Sequence, residues 1–137
     1  MEIHDASGRS LKLRSLLGKP LLINLWATWC APCIAELPML DRVAVERAEN
    51  MKVLAVSQDM SRTEKVGPFL AQNGAPHLGP WIDPETDLTF ALGAQTLPTT
   101  VLYDAAGKEI WRYIGGRDWT STASAELLDE AARPAAQ

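Results

Sequence analysis

Two cysteines separated by two residues are the part of this 137-residue sequence best suited to chemistry. They are Cys30 and Cys33, with Ala31 and Pro32 between them. Cysteines three apart at the start of a helix have Cα atoms roughly 5–6 Å apart, which is within the range that a disulfide requires. The pair can therefore close and open with little backbone movement, which is the chemistry of dithiol–disulfide exchange.

The predicted elements on either side of the pair indicate which thiol is reactive. Residues 20–27 form a short apolar run that predicts a buried central strand, and residues 31 to about 50 predict a helix. Pro32 suits the first helical turn, where its missing N–H costs nothing. Cys30 then lies where unpaired N–H groups and the helix dipole stabilise a thiolate, whose pKa falls from ~8.5 to between about 3.5 and 7.5 in such motifs. We predict that Cys30 is the nucleophile and that Cys33 resolves the mixed disulfide.

Other uses of the two thiols stay open from the residues alone, including inert thiols and half a metal site. A zinc site would need two more ligands, and His4 and His77 stand alone in the sequence. A Cu(I)-binding module would use both soft thiolates, although such carriers place the motif on a flexible loop. A peroxiredoxin-like peroxidase needs a threonine three residues before its cysteine, whereas Ala27 and Cys30 occupy those positions here.

Strands and helices alternate along the chain, which is typical of an α/β fold. Further strands are predicted at 51–57, 80–82, 99–103 and 108–114, the last two joined by a turn at 104–107. Further helices are predicted from a capping box at Ser61 and Glu64 to about 73, at 87–92 and at 120–132. We expect the residues from 131 to 137 to fray.

Composition favours one globular domain of ordinary size. Hydrophobic residues make up 47% and charged residues 22% of the chain, which argues against disorder. The 13 basic and 17 acidic side chains give a net charge of −4, which offers no basic face for nucleic acid. Apolar runs are too short for a membrane span. Two cysteines also exclude a disulfide-rich scaffold.

The sequence Asn-Leu-Trp-Ala-Thr-Trp-Cys-Ala-Pro-Cys at 24–33, followed by Glu-Leu-Pro at 36–38, strongly resembles the TlpA/ResA-like branch of the thioredoxin superfamily. Later segments at 97–100, 103–107 and 115–119 agree, so the resemblance spans about residues 11–128. It implies a thioredoxin-like fold, in which helices flank a mixed central sheet. It also implies an inserted segment at about 76–95, before the strand that follows a cis-proline.

The resemblance implies a thiol-disulfide oxidoreductase that exchanges disulfides with protein substrates and needs no cofactor beyond its cysteine pair. Members of this branch mostly act as reductants in the bacterial cell envelope, in cytochrome c biogenesis or in reducing the cysteines of metalloproteins. We therefore expect a membrane electron donor upstream, a monomer and a periplasmic location. Residues 1–5 show no secretory signal, so a targeting segment was removed or the protein is cytoplasmic.

Glu36 lies one turn beyond Cys33 on the same predicted helix face. Spacing alone leaves two interpretations open, an ordinary exposed glutamate or a carboxylate that accepts the proton of Cys33 as this thiol attacks. Thioredoxins proper carry a buried aspartate at the position of Asn24, which cannot titrate. The resemblance assigns the proton-accepting role to Glu36.

Substrate contacts are predicted around the motif and around a second segment. The resemblance implies that the Leu97–Pro98 bond is cis and faces the cysteines, where it blocks metal capture and leaves the Thr96–Leu97 backbone free to pair with an extended chain. Pro32 is placed among the substrate contacts as well. Trp29 is either a core aromatic or an exposed platform beside Cys30. The other four tryptophans are interpreted as packing residues; they are Trp26, Trp81, Trp111 and Trp119.

Overall fold

The computed structural model describes residues 1–132, and its seven strands form one mixed sheet. The strands are β1 (Glu2–Asp5), β2 (Ser10–Lys12), β3 (Leu21–Trp26), β4 (Lys52–Ser57), β5 (Trp81–Ile82), β6 (Thr99–Tyr103) and β7 (Glu109–Ile114). The helices are α1 (Ala31–Glu46), α2 (Val66–Gln72), α3 (Asp87–Leu92) and α4 (Thr122–Asp129). Single 3₁₀ turns lie at Leu13–Leu16, Thr63–Lys65 and Glu130–Ala132.

The strand order across the sheet is β2-β1-β5-β4-β3-β6-β7. β3 pairs in parallel with β4 and antiparallel with β6, so its backbone is bonded on both sides. β6 and β7 form the predicted antiparallel hairpin, and β5 pairs in parallel with β4. The predicted mixed sheet is therefore confirmed.

β3 is buried along its whole length because helices cover both faces of the sheet around it. Leu22 and Trp26 pack into the core cluster that includes α1, whereas Ile23 and Leu25 pack into a second cluster with α3. Successive side chains of a strand point to opposite faces. Asn24 therefore shares a face with Leu22 and Trp26 and points towards α1.

α1 runs continuously through Pro38 and ends at Glu46, four residues before the predicted end near residue 50. The chain leaves the helix at Arg47, whose carbonyl accepts a hydrogen bond from the N–H of Met51 at 2.8 Å. Ala48, predicted on the apolar face of this helix, is exposed in that turn. The backbone turn, rather than side-chain periodicity, sets the end of α1.

Two other elements differ from the sequence prediction. The short β1–β2 hairpin was not predicted, and it depends on pairing with β5. The prediction of a capping box at Ser61 and Glu64 is wrong. Arg62 has a left-handed backbone conformation, and no side chain caps the turn that begins at Thr63.

The segment predicted as an insert, 76–95, contains β5 and α3. That this segment is an insert stays a prediction, and so does the organisation of the chain as a single domain. The predicted fraying of the tail falls, from residue 133 onward, outside the described residues. Among residues 1–132, no helix combines the length and the apolar character needed to cross a membrane.

Candidate active site

Cys30 is the residue that immediately precedes α1, and Pro32 lies in the first turn of that helix. The backbone of Cys30 is extended, and its carbonyl accepts the N–H of Ile34 at 3.0 Å, which begins the helical bonding. Cys30 and Cys33 form a disulfide, and their Cα atoms are 5.2 Å apart. The predicted spacing and placement of the pair are confirmed.

Both cysteines belong to the core cluster on the α1 side of the sheet. Cys30 retains 6% of its exposed surface and Cys33 retains 1%. An incoming sulfur therefore has better access to Cys30. Pro32 is exposed beside the pair, close to Gly116.

The loop that leads from β3 to Cys30 is held by Asp59, a buried residue that follows β4. Its carboxylate accepts hydrogen bonds from the N–H and the hydroxyl of Thr28 and from the hydroxyl of Ser57. Sequence reasoning missed this residue, since it lies 31 positions after Thr28.

Glu36 is 1% exposed, so the interpretation as an ordinary exposed glutamate is wrong. Its Oε2 atom accepts hydrogen bonds from the backbone N–H of Arg117 at 3.0 Å and from the indole Nε1 of Trp119 at 2.6 Å. Its Oε1 atom lies 3.5 Å from Nδ2 of Asn24. The carboxyl is thus enclosed between α1, β3 and the loop after β7, one helical turn beyond Cys33.

Burial raises the pKa of Glu36 above the ordinary value of a glutamate. The hydrogen bonds from Arg117, Trp119 and Asn24 lower the pKa and so oppose this effect in part. A carboxyl with a raised pKa can both take and release a proton nearer neutral pH, which is what a general base requires.

Asn24 lies opposite Thr100 in the β3–β6 register, and its Nδ2 donates to the Thr100 hydroxyl at 2.9 Å. The other polar atom of this side chain, Oδ1, is buried and has no partner among the described residues. Asn24 therefore links the central strand to Glu36 through an amide that is not fully satisfied.

The Leu97–Pro98 peptide bond is cis, as predicted. Pro98 is buried, and its carbonyl accepts the N–H of Gly115 at 2.8 Å. Leu97 is half-buried and packs against both core clusters, one of which contains the two cysteines. The carbonyl of Thr96 accepts the hydroxyl of Thr99 at 2.5 Å and keeps a second lone pair, so the pairing of the Thr96–Leu97 backbone with an extended chain stays a prediction.

Trp29 is 71% exposed, so its interpretation as a core aromatic is wrong. Trp26 is fully buried, as predicted. Trp119 packs in the core as predicted, but it also donates a hydrogen bond to Glu36, which sequence reasoning missed. The one indication in the sequence was that Trp119 closes the segment 115–119, which belongs to the resemblance.

Comparison with known proteins places this arrangement in a family. The family model described as Redoxin matches residues 2–128. The chain belongs to the Redoxin family.

This redoxin is 34% identical over 108 residues to the thiol:disulfide interchange protein DsbE of Vibrio cholerae, a match that covers 77% of the chain and 56% of that protein. It is 30% identical over 117 residues to the thiol-disulfide oxidoreductase ResA of Halalkalibacterium halodurans, covering 83% of the chain and 64% of that protein. The resemblance to the TlpA/ResA-like branch is thereby confirmed. The chain spans little more than half the length of these curated relatives.

The fold of this redoxin also matches solved structures. The exposed lipoprotein thioredoxin Etrx1 of Streptococcus pneumoniae superposes with a TM-score of 0.75 at 25% identity, and the match covers 95% of this chain and 98% of that one. The predicted thioredoxin-like fold is confirmed.

Proposed function

We propose that this redoxin is a thiol-disulfide oxidoreductase that exchanges disulfides with protein substrates through Cys30 and Cys33. One observation carries the proposal: a disulfide at the first turn of α1 is followed, one turn later, by the buried carboxyl of Glu36. The names of the curated relatives, an interchange protein and an oxidoreductase, support the same chemistry.

In the reduced protein, the Cys30 thiolate attacks one sulfur of a substrate disulfide and expels the other substrate sulfur as a thiolate. The N–H groups at the start of α1 stabilise the attacking anion. This step leaves a mixed disulfide between Cys30 and the substrate. The greater exposure of Cys30 than of Cys33 fits this order of events.

The second step requires Cys33 to lose its proton inside the core. The Glu36 carboxylate takes that proton, and the resulting Cys33 thiolate attacks the sulfur of Cys30. The Cys30–Cys33 disulfide forms, and the remaining substrate sulfur leaves as a thiolate. Two electrons pass from the protein to the substrate, and reversal of these steps would oxidise a substrate dithiol.

Substrate contacts are assigned to the exposed surface around the pair. Trp29 offers an exposed apolar ring next to Cys30, and Pro32 is exposed on the other side of it. Thr96 is exposed and Leu97 is half-buried, and neither makes a backbone–backbone hydrogen bond within residues 1–132. An extended substrate chain could pair there, beside Pro98.

The resemblance to the TlpA/ResA-like branch supports a direction of electron transfer, a cellular compartment and a class of substrate. We propose a reductant of the bacterial cell envelope that prepares cysteines of apocytochrome c or of metalloproteins and is itself reduced by a membrane donor. We also propose that the protein acts as a monomer and needs no cofactor beyond its cysteine pair.

A trapping experiment tests the function. In a Cys33→Ser variant the mixed disulfide cannot resolve, so adducts through Cys30 should accumulate with natural substrates. Cys30→Ser is the matched control and should give none. Equal yields from both variants would reverse the assigned roles, and no adducts from either would contradict the function. Competition-resistant binding of Cu(I), or peroxide consumption, would instead favour one of the two alternatives.

A further inference from the structure

The two oxygens of Glu36 have different hydrogen-bond partners. Oε2 accepts from two groups that can only donate, the peptide N–H of Arg117 at 3.0 Å and the indole N–H of Trp119 at 2.6 Å. A proton on Oε2 would point at one of these donors or displace it. Oε2 is therefore fixed as an acceptor in both protonation states of the carboxyl.

Oε1 faces a partner that can change its role. Its contact to Nδ2 of Asn24 is 3.5 Å, which is long for a hydrogen bond. The same amide carries Oδ1, which is buried without a partner among the described residues. Rotation of the amide would turn Oδ1 towards Glu36 and towards the hydroxyl of Thr100, and each of these groups could then donate to it.

We propose that Trp119 is a positioning residue that fixes Oε2 of Glu36 as an acceptor and so directs the proton of Cys33 to Oε1. This inference rests on the proposed function, in which Glu36 takes that proton. The transfer converts the Cys33 thiol and the Glu36 carboxylate into a thiolate and a carboxylic acid. Asn24 then accepts the new O–H of Glu36.

The indole of Trp119 is held on several sides, as a positioning role requires. Trp111 stacks on it with ring centres 5.9 Å apart and planes 6° apart, and Tyr113 meets it edge-on at 6.0 Å. The guanidinium of Arg117 lies 5.5 Å from the centre of the Trp119 ring and 4.8 Å from that of Tyr113. The indole N–H therefore points at Glu36 with little freedom to turn away.

Charged residues lie on the elements around Glu36, but none of their side chains is bonded to its carboxyl among the described residues. α1 carries Asp41, Arg42 and Glu46, β7 carries Glu109 and Arg112, and the loop after β7 carries Arg117 and Asp118. Asp41 pairs with His77, Arg42 with Glu46 and Glu109 with Arg112, whereas β3 and β6 contribute the neutral Asn24 and Thr100. The guanidinium of Arg117 contacts the rings of Tyr113 and Trp119 and does not bond to the carboxyl of Glu36. The groups of this loop that bond to the carboxyl are the N–H of Arg117 and the indole N–H of Trp119.

The test replaces the indole donor and keeps a ring. Trp119→Phe removes the N–H that binds Glu36. Trp81→Phe is the matched control, because Trp81 packs against the other core cluster and makes no contact with Trp119 or Glu36 among the described residues. The titration of the Glu36 side-chain carbon is followed by NMR in the oxidised proteins. We expect Trp119→Phe to raise the pKa of Glu36 by about one to two units, given the strength of hydrogen bonds to charged groups. Trp81→Phe should leave it near the wild-type value.

A second measurement follows the wild-type protein and compares it with Glu36→Gln, in which the amide can still accept the hydrogen bonds of Arg117 and Trp119. The indole N–H resonance of Trp119 in the wild-type protein should shift as Glu36 titrates, and this pH-dependent shift should be lost in Glu36→Gln. An indole resonance that ignores the titration of Glu36 would overturn the inference, as would an unchanged Glu36 titration in Trp119→Phe.

Kinetics then separate this inference from the proposed function. If both stand, the pH profile of disulfide exchange should move upwards in Trp119→Phe by the same amount as the Glu36 titration. A shifted titration with an unmoved pH profile would overturn the role of Trp119 while leaving the exchange activity intact. If the wild-type protein exchanged no disulfides at all, the proposed function would fail, and the proton-directing role would fail with it.

Discussion

Thr28 and Asp59 are joined by two hydrogen bonds that tie the loop before Cys30 to the end of β4. The N–H of Thr28 donates to Oδ2 at 3.0 Å, and its hydroxyl donates to Oδ1 at 2.5 Å. Ser57, the last residue of β4, donates to Oδ2 at 2.6 Å. Both carboxylate oxygens are thus satisfied at a buried position, which makes the pair a fixed support for the loop that carries Trp29 and Cys30.

Removing this carboxylate should destabilise the protein. Asp59→Ala leaves the donors of the half-buried Thr28 and the hydroxyl of the buried Ser57 without an acceptor, and we expect a loss of about 2–3 kcal/mol in the free energy of unfolding. Urea unfolding measures it. Asp129→Ala is the control, because Asp129 makes an exposed ion pair with Arg47 that is worth at most about 1 kcal/mol. Similar losses in the two variants would show that the Asp59 network adds little.

Glu36→Gln should slow disulfide exchange while leaving the fold intact. The amide can still accept the hydrogen bonds of Arg117 and Trp119, but it cannot take a proton from Cys33. We expect a fall on the order of 10²-fold in the rate of resolution, together with a shifted titration of the thiols. Stopped-flow exchange with a small protein disulfide measures the rate. Glu46→Gln, at an exposed glutamate of the same helix, should behave as wild type. Unchanged rates and thiol titration in Glu36→Gln would remove Glu36 from the mechanism.

Glu36→Gln should also change how the free energy of unfolding depends on pH. Since burial raises the pKa of Glu36 in the folded protein, folding favours the protonated form, and the stability that this form contributes is fully present below the ordinary pKa of a glutamate. That contribution is lost as the pH rises through the folded-state value.

The free energy of unfolding of Glu36→Gln should therefore rise relative to that of the wild type when the pH changes from 4 to 8. Guanidinium unfolding of both proteins at these two pH values measures the difference. With the Cys30–Cys33 disulfide intact the thiols do not titrate, and the remaining groups are the same in both proteins, so the difference between their unfolding free energies isolates Glu36. A difference that stays the same at both pH values would contradict a raised pKa for this carboxyl.

Local patterns in the sequence are enough to place the cysteine pair. The apolar run at 20–27 and the proline after Cys30 predict β3 and the start of α1, and both elements are found there. The strand β6 and the helix α3 also agree with prediction at both ends. These elements have strong apolar patterns and clear turn residues, so each is specified by its own residues.

Contacts between distant segments could not be predicted in this way. The donors to Glu36 lie 81 and 83 positions after it, and spacing along one helix cannot reveal them. The β1–β2 hairpin has few apolar residues and depends on pairing with β5, so it carries no periodic pattern of its own. The end of α1 differs from the prediction for a related reason, because Ala48 continues the apolar pattern past Arg47 although the backbone has already turned.

Gly74, in the turn that follows α2, lies against Pro38 of α1. Gly74 has a positive φ of +79°, and a Cβ atom there would lie 3.2 Å from Cγ of Pro38. Gly93 has a similar φ of +67° with open space around it, so it isolates the backbone cost. Gly93→Ala should cost roughly 1–2 kcal/mol, the penalty of a left-handed alanine.

Gly74→Ala should cost more than Gly93→Ala, because the rigid proline ring on α1 must also move away. Chemical unfolding of both variants gives the comparison, and the excess loss in Gly74→Ala measures the contact with Pro38. Equal losses would mean that Pro38 and the turn after α2 can move apart by a few tenths of an ångström without cost, and that this contact does not fix the position of α1.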